Sequence, residues 1–179
     1  MWPMRFVIRA ATVHDADALS ILLASYLRES YPSHVGSSPE QLRRDVFGQH
    51  ATHHVLLGEV AGVAVGFVAW DDVYDMHWAV GGAQIADIYV AASHRGLGLA
   101  LALVARVAAE VHASGGAFLR GGAYDRASTR KAYARIAVVA PSGETHLGGR
   151  AFLRLAELAD RPIREILRCL PPVEWNFTI

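Results

Sequence analysis

The chain has 179 residues and a mass of 19.4 kDa, with 53% apolar side chains and a mean hydropathy of +0.23, which is enough apolar material for one sizeable core and too much for a disordered chain. Lys plus Arg and Asp plus Glu are both 17, so a formal charge of zero leaves no overall electrostatic footprint for nucleic acid or an anionic membrane. Cys169 is the single cysteine, which excludes an internal disulfide framework and argues against a Cys-based metal site.

Phe6 to Ala10 reads as a first strand. Thr12 then offers an N-cap to a helix whose inner face is Leu19, Leu22, Leu23, Tyr26 and Leu27, spaced i, i+3, i+4, i+7, i+8. That helix is expected to stop near Tyr31-Pro32, and Pro32 to Ser38 to form a loop. Ser38-Pro39-Glu40-Gln41 supplies a capping serine, a proline at the first helical position and a glutamine to close a capping box, predicting a second short helix to about Phe47. His54 to Val60 and Val63 to Trp70 read as strands, with Ala61-Gly62 between them as a hairpin turn. Asp71 to Trp78 reads as a loop rich in acid and aromatic side chains. Gln84 to Val90 is a further strand. It leads through 91–94 into Arg95-Gly96-Leu97-Gly98-Leu99-Ala100 and a helix with no charged residue before Arg106. The first turns of that helix are expected to be buried, with Arg106 and Glu110 four apart where it meets solvent. Ala117 to Arg120 reads as a strand, Asp125 can cap a helix to about Ile136, and Ala137 to Ala140 is a short strand before a turn at 141–144. Arg150 to Asp160 and Ile163 to Leu170 both read as helices. Strands and helices alternate along one domain, 1–179, so the class is mixed α and β.

The most informative stretch is Ile85 to Ala113, where a strand ends in a glycine-containing turn and a helix begins at once. The first N–H groups of a helix lack intrahelical partners and lie at the positive end of its dipole, so together they form a site for phosphate. Gly96 and Gly98 carry no Cβ and let a diphosphate approach the main chain. Arg95 adds a positive charge beside the turn, and Leu97, Leu99 and Leu101 are expected to anchor it to the core. A Walker A loop needs a lysine and a Ser or Thr after its last glycine, and neither is present. A dinucleotide fingerprint needs a Gly or Ala where Leu101 stands and an acid about twenty residues further on, a place that neither Glu110 nor Asp125 fills.

Arg95-Gly96-Leu97-Gly98-Leu99-Ala100 resembles the Arg/Gln-x-x-Gly-x-Gly/Ala signature of the GNAT superfamily of N-acetyltransferases. Asp87-Ile88-Tyr89-Val90 resembles the fourth strand of that family. Asp125-Arg126-Ala127 and Ala132-Tyr133-Ala134-Arg135-Ile136-Ala137 resemble its Asn-x-x-Ala and Phe/Leu-Tyr-x-Lys-x-Gly block. The resemblance covers residues 5–140. It implies a mostly antiparallel central sheet of about six strands flanked by helices, with acetyl-CoA as co-substrate and a small cationic primary amine as acceptor; the alternatives are a non-catalytic acyl-CoA sensor or protein-interaction module on the same fold, and an acetyltransferase acting on a protein N-terminus or lysine. The main chain of Ile88, Tyr89 and Val90 would pair with the pantetheine arm, as an added strand does. The amides of Arg95, Gly96, Leu97, Gly98, Leu99 and Ala100 would hold the pyrophosphate, and Tyr133 would protonate the departing thiolate. A tyrosine hydroxyl suits that work because it donates while remaining neutral at pH 7.

Several positions depart from the family pattern. Ala86 stands where some relatives carry a strand Glu, which leaves the base open between Asp87 acting through water and His77. Asp125 replaces the usual Asn beside the cofactor. The acids 71, 72 and 75 and the end of the first helix, with Tyr26, Glu29 and Tyr31, are expected to face a cationic amine, Asp75 and His77 among them. Adjacent histidines on a strand point to opposite faces, so His50, His53 and His54 make a poor zinc set, and no metal is expected. Residues 148–179 read as a divergent helical extension, so the last strand of the sheet is expected to be missing or very short. Those helices offer a contact for a homodimer. The longest apolar stretch, Leu97 to Ala105, is too short to cross a bilayer, so a cytoplasmic protein with no membrane partner is expected.

Overall fold

A Thr12–Asp15 turn leads into the first helix, and a capping box opens the second. The computed structural model, which describes residues 6–122, 130–131 and 133–174, places α1 at Ala16–Ser30 and α2 at Pro39–Asp45. The Asp15 carboxylate accepts the Thr12 amide at 2.8 Å and its hydroxyl at 2.9 Å, with one 3-10 turn before α1. Ser38 and Gln41 close a capping box, Gln41 N to Ser38 Oγ at 3.2 Å and Ser38 N to Gln41 Oε1 at 2.8 Å. The strands are β1 (Val7–Ala10), β2 (His53–Val60), β3 (Val63–Asp75), β4 (Val80–Val90), β5 (Phe118–Gly122), β6 (Val138–Val139) and β7 (Glu144–Gly148). The remaining helices are α3 (Leu99–Ala113), α4 (Gly149–Glu157) and α5 (Ile163–Cys169). The described strands form one sheet in the order β1-β2-β3-β4-β5-β7-β6. The pairs β1·β2, β5·β7 and β6·β7 are antiparallel, and β4·β5 is parallel. The expected mixed, mostly antiparallel sheet is therefore present, with seven strands where about six were expected. The chain divides into two compact units, Met1–Trp70 with Asp87–Leu103 and Asp71–Ala86 with Val104–Ile179.

In the first unit, Leu19 and Leu22 of α1 and Leu42 of α2 pack with Val55, Leu57, Phe67 and Tyr89 of the strands. Arg9 on β1 donates to Asp15 at 2.7 Å and to Glu59 on β2 at 2.6 Å, tying the strand pair to the start of α1. Ala61 and Gly62 both have positive φ, 50° and 78°, as a two-residue hairpin requires. Leu99, 1% exposed, seats the start of α3 over two positions without side chains. A Cβ on Gly58 would lie 2.7 Å from its Cδ1, and one on Gly66 would lie 3.3 Å from its Cδ2. Leu97 is 44% exposed and Leu101 half-buried, so Leu99 alone of the three leucines is the anchor. Residues two apart on a helix point about 200° apart and cannot share its inner face, and Leu97 precedes the helix.

In the second unit, β3 continues through Asp71 to Asp75 and β4 begins at Val80, so most of the expected acidic loop is strand. Its alternating half-buried and exposed residues fit the two-residue strand period even though three of the five are acids. The true turn is four residues long. In it the Asp75 carboxylate accepts the His77 amide at 3.1 Å and the Trp78 amide at 3.2 Å, and it also accepts from Arg120. β5 pairs with β4 at Ala83↔Leu119 and Gln84↔Arg120, and with β7 from Phe118↔Gly148 to Gly122↔Glu144. The last strand is thus five residues long, where it was expected to be missing or very short. Thr145 and His146, 6% and 1% exposed, give it a polar reading in sequence. In the fold His146 stacks on Phe118, with ring centres 6.0 Å apart. Both tail helices are present, and Phe152 and Leu155 of α4 and Ile166 of α5 are fully buried.

Candidate active site

The strand, turn and helix start expected from the sequence lie within the first unit. The Ala91 amide donates to Val65 O at 2.8 Å, keeping the end of β4 in the sheet. A 3-10 turn, Ala92–His94, then leads to an extended Arg95. Gly96 and Gly98 follow with φ of 75° and 92°, a backbone that side chains with a Cβ adopt only with strain. Ala102 N donates to Gly98 O at 3.0 Å, the first full turn of α3. The amides of Leu99, Ala100 and Leu101 come before it and have no intrahelical acceptor. A Cβ built on Gly96 meets nothing within 4 Å. Open space over a left-handed turn at a helix N-terminus fits a diphosphate.

Arg95 is well attached. Its Nε donates to Val90 O at 2.8 Å, its Nη2 to Glu29 Oε2 at 2.7 Å, and its guanidinium lies 5.4 Å from the centre of the Tyr89 ring. The Tyr89 hydroxyl donates to Glu29 Oε1 at 2.9 Å. Burial, together with the Glu29 carboxylate, pushes the Tyr89 hydroxyl up from its ordinary range.

Beside this lies an aromatic and acidic cluster. Tyr26 of α1 contacts Tyr31, Phe67 and Tyr89, with ring centres 6.1, 6.4 and 5.9 Å apart. Asp87 and Tyr31 stand close enough to act on its hydroxyl. Burial first, and then the Asp87 charge, push the Tyr26 hydroxyl well above its ordinary range. Asp87 is half-buried while its neighbour Ala86 is exposed. The fold thus brings Tyr26, Tyr31 and Asp87 together, and Glu29 with Tyr89 and Arg95. Phe67 and His34, whose ring packs 5.5 Å from Tyr31, complete the cluster and were not singled out in sequence. A strand phenylalanine and a loop histidine carry no motif that marks them.

The other expected residues belong to the second unit. Asp75 caps the β3–β4 turn and pairs with Arg120, an arginine that sequence reasoning passed over. His77 is exposed in that turn. Tyr133 is half-buried at the end of a helical turn, where its carbonyl accepts the amides of Ile136 and Ala137 at 2.9 and 2.8 Å. Burial pushes its hydroxyl up to about 12. Asp125 lies outside the described residues. Among the described residues no three His, Cys, Asp or Glu side chains come together as a metal site needs, and no helix is long and apolar enough to cross a membrane.

The acetyltransferase (GNAT) family model matches residues 20–137, a span that contains the whole strand–turn–helix site. The chain belongs to the GNAT acetyltransferase family. Among solved GNAT-like structures it is similar to the ribosomal-protein-alanine N-acetyltransferase from Brucella melitensis biovar Abortus 2308. That match has 27% identity and a TM-score of 0.64, covering 76% of this chain and 94% of that one. It is also similar in fold to an aminoglycoside acetyltransferase from an uncultured soil metagenomic sample, solved in complex with sisomicin. There the identity is 15% and the TM-score 0.57, covering 71% and 82%. A Trypanosoma brucei acetyltransferase shares the fold at 18% identity and a TM-score of 0.57, covering 76% and 94%. No curated protein sequence matches the chain.

Proposed function

We propose that this GNAT protein transfers an acetyl group from acetyl-CoA directly to a primary amine, and that the acceptor is a small cationic amine. The observation that carries the reading is the left-handed Gly96–Gly98 turn opening α3 in a chain of this family. In the proposed arrangement the main chain of Ile88 to Val90 pairs with the pantetheine arm, and the amides of Arg95 to Ala100 hold the pyrophosphate. The acceptor nitrogen bonds the carbonyl carbon and the carbon–sulfur bond breaks. The leaving sulfur takes a proton from the Tyr133 hydroxyl, and the amine loses one to Asp87 through water. Tyr133 is assigned by its resemblance to the family's tyrosine and by a hydroxyl that keeps its proton at neutral pH. Asp87 is assigned by its half-buried position and its place beside the Tyr26 hydroxyl. The π faces of Tyr26 and Tyr31 beside an acid suit an ammonium group.

The similarity to a ribosomal-protein-alanine N-acetyltransferase favours a second reading, in which the acceptor is the N-terminal amine of a protein. Thiol release, followed with a panel of di- and polyamines, aminoglycosides and an Ala-initiated peptide, separates the two. Turnover of the small cations and not of the peptide is expected. Turnover of the peptide alone transfers the site to the second reading, and turnover of none of them contradicts the enzyme reading.

A further inference from the structure

A cation at the mouth of a glycine turn invites the reading of a phosphate ligand, yet the attachments of Arg95 point elsewhere. Nε holds the Val90 carbonyl and Nη2 holds Glu29 Oε2, while the guanidinium covers Tyr89. The other Glu29 oxygen accepts the Tyr89 hydroxyl. One carboxylate in the last turn of α1 therefore grips the end of β4 twice, once through a strand side chain and once through the arginine that opens the turn. Between those grips the chain from Ala91 to Arg95 is a single 3-10 turn, whose closing bond, Arg95 N to Ala92 O, is long at 3.4 Å. A planar guanidinium bonded at two of its edges holds direction as well as distance.

We propose that Glu29 is a positioning residue for acyl-donor binding. Acting through Arg95 and Tyr89, it fixes the strand-to-turn segment so that the amides of 96–100 face one ligand. The diphosphate is then held by main chain, and the Arg95 guanidinium serves as a brace. This rests on the reading of the turn as an acetyl-CoA cradle. The two roles for Arg95 predict opposite signs. A phosphate-binding Arg95 released from Glu29 would hold the diphosphate more tightly, because a competing anion is gone. A brace released from its anchor would hold it less tightly.

The test combines calorimetric titration of acetyl-CoA with amide hydrogen exchange over 91–100 in the ligand-free protein. Both are run on the wild type, Glu29→Ala and Glu29→Gln, with melting temperatures as a check that the variants fold. The expected results for Glu29→Ala are binding weakened about tenfold, a size ordinary for coupling between neighbouring sites, and faster exchange of the turn amides. KM for acetyl-CoA should rise while kcat at saturation is retained. Glu29→Gln, which can still accept from Tyr89 and Arg95 but without charge, should lose less. Equal or tighter binding by Glu29→Ala, or unchanged exchange, would overturn the proposal. If the wild type binds no acetyl-CoA the cradle reading fails on its own, and the exchange comparison still decides whether Glu29 braces the turn.

Discussion

Burial that pushes the Tyr133 hydroxyl up to about 12 keeps it protonated throughout any ordinary assay. As the acid for the leaving sulfur it should therefore impose no alkaline limb on kcat below about pH 10, since the protonated fraction falls only as the pH nears its pKa. Activity with a weakly basic amine should rise to a plateau and hold there. Tyr133→Phe should lower kcat about a hundredfold, within the usual range for a lost general acid, while acetyl-CoA binding by calorimetry changes little. Equal losses in both, or a wild-type downturn near pH 8, would remove Tyr133 from this role. At this scale the sequence was legible where a residue type does one job at one place. Gly96 and Gly98 announce positive φ, and Ser38 with Gln41 announces a cap. It was silent on partners far apart along the chain. Nothing in sequence joins Glu29 to Arg95, or Asp75 to Arg120, because a salt bridge between distant residues leaves no local period. Nor did the acid beside aromatics at Asp75 announce its ties to two turn amides and to Arg120.

Helix α3 is placed by what the strands beneath it lack. Gly66 on β3 leaves room for Leu99, and a Cβ there would come within 2.8 Å of the Tyr89 carbonyl oxygen. Backbone cannot rotate away as a side chain can, so Gly66→Ala should displace β4 where it turns toward Arg95. A loss of about 1–3 kcal/mol on denaturant unfolding is expected from such overpacking, together with weaker acetyl-CoA binding. Unchanged stability would show that the close approach is relaxed at no cost. The same scale explains the misread elements. Periodicity locates strands through apolar alternation, so the acids that extend β3 hid its last residues, and Thr145 and His146 hid β7. The tail helices were legible because Leu155 and Leu158, and then Ile163, Ile166, Leu167 and Leu170, keep a helical spacing, and Leu155 and Ile166 sit fully buried.

Over the whole molecule, acid stability should reflect the Arg9 pair with Asp15. The guanidinium, by hydrogen bond first, holds the Asp15 carboxyl well below its usual range. A carboxyl with a depressed folded pKa contributes stability above its unfolded value, about 3.9, and loses it as the pH falls below that. Arg9 is 39% exposed at its side chain, so the pair is screened and its contribution is of the order of 1 kcal/mol. Arg9→Met should lower the melting temperature at pH 7, with a gap to wild type that narrows as the pH drops below about 4. A gap independent of pH would assign the loss to packing instead. Fold class and family were legible at this scale because β4, the turn and α3 form one continuous stretch of sequence. The acceptor was not, because the side chains that would meet it are gathered from α1, the loop after it and β4.

Titration of the protein with acetyl-CoA, beside a Gly98→Glu variant, tests the central claim most directly. Gly98 has φ of 92°, so a glutamate there is strained and brings a carboxylate to where the diphosphate would lie. Saturable binding by the wild type, lost in a variant that still unfolds cooperatively, is the predicted result. Absence of binding in both, or equal binding in both, would contradict the assignment of this turn as the acetyl-CoA site.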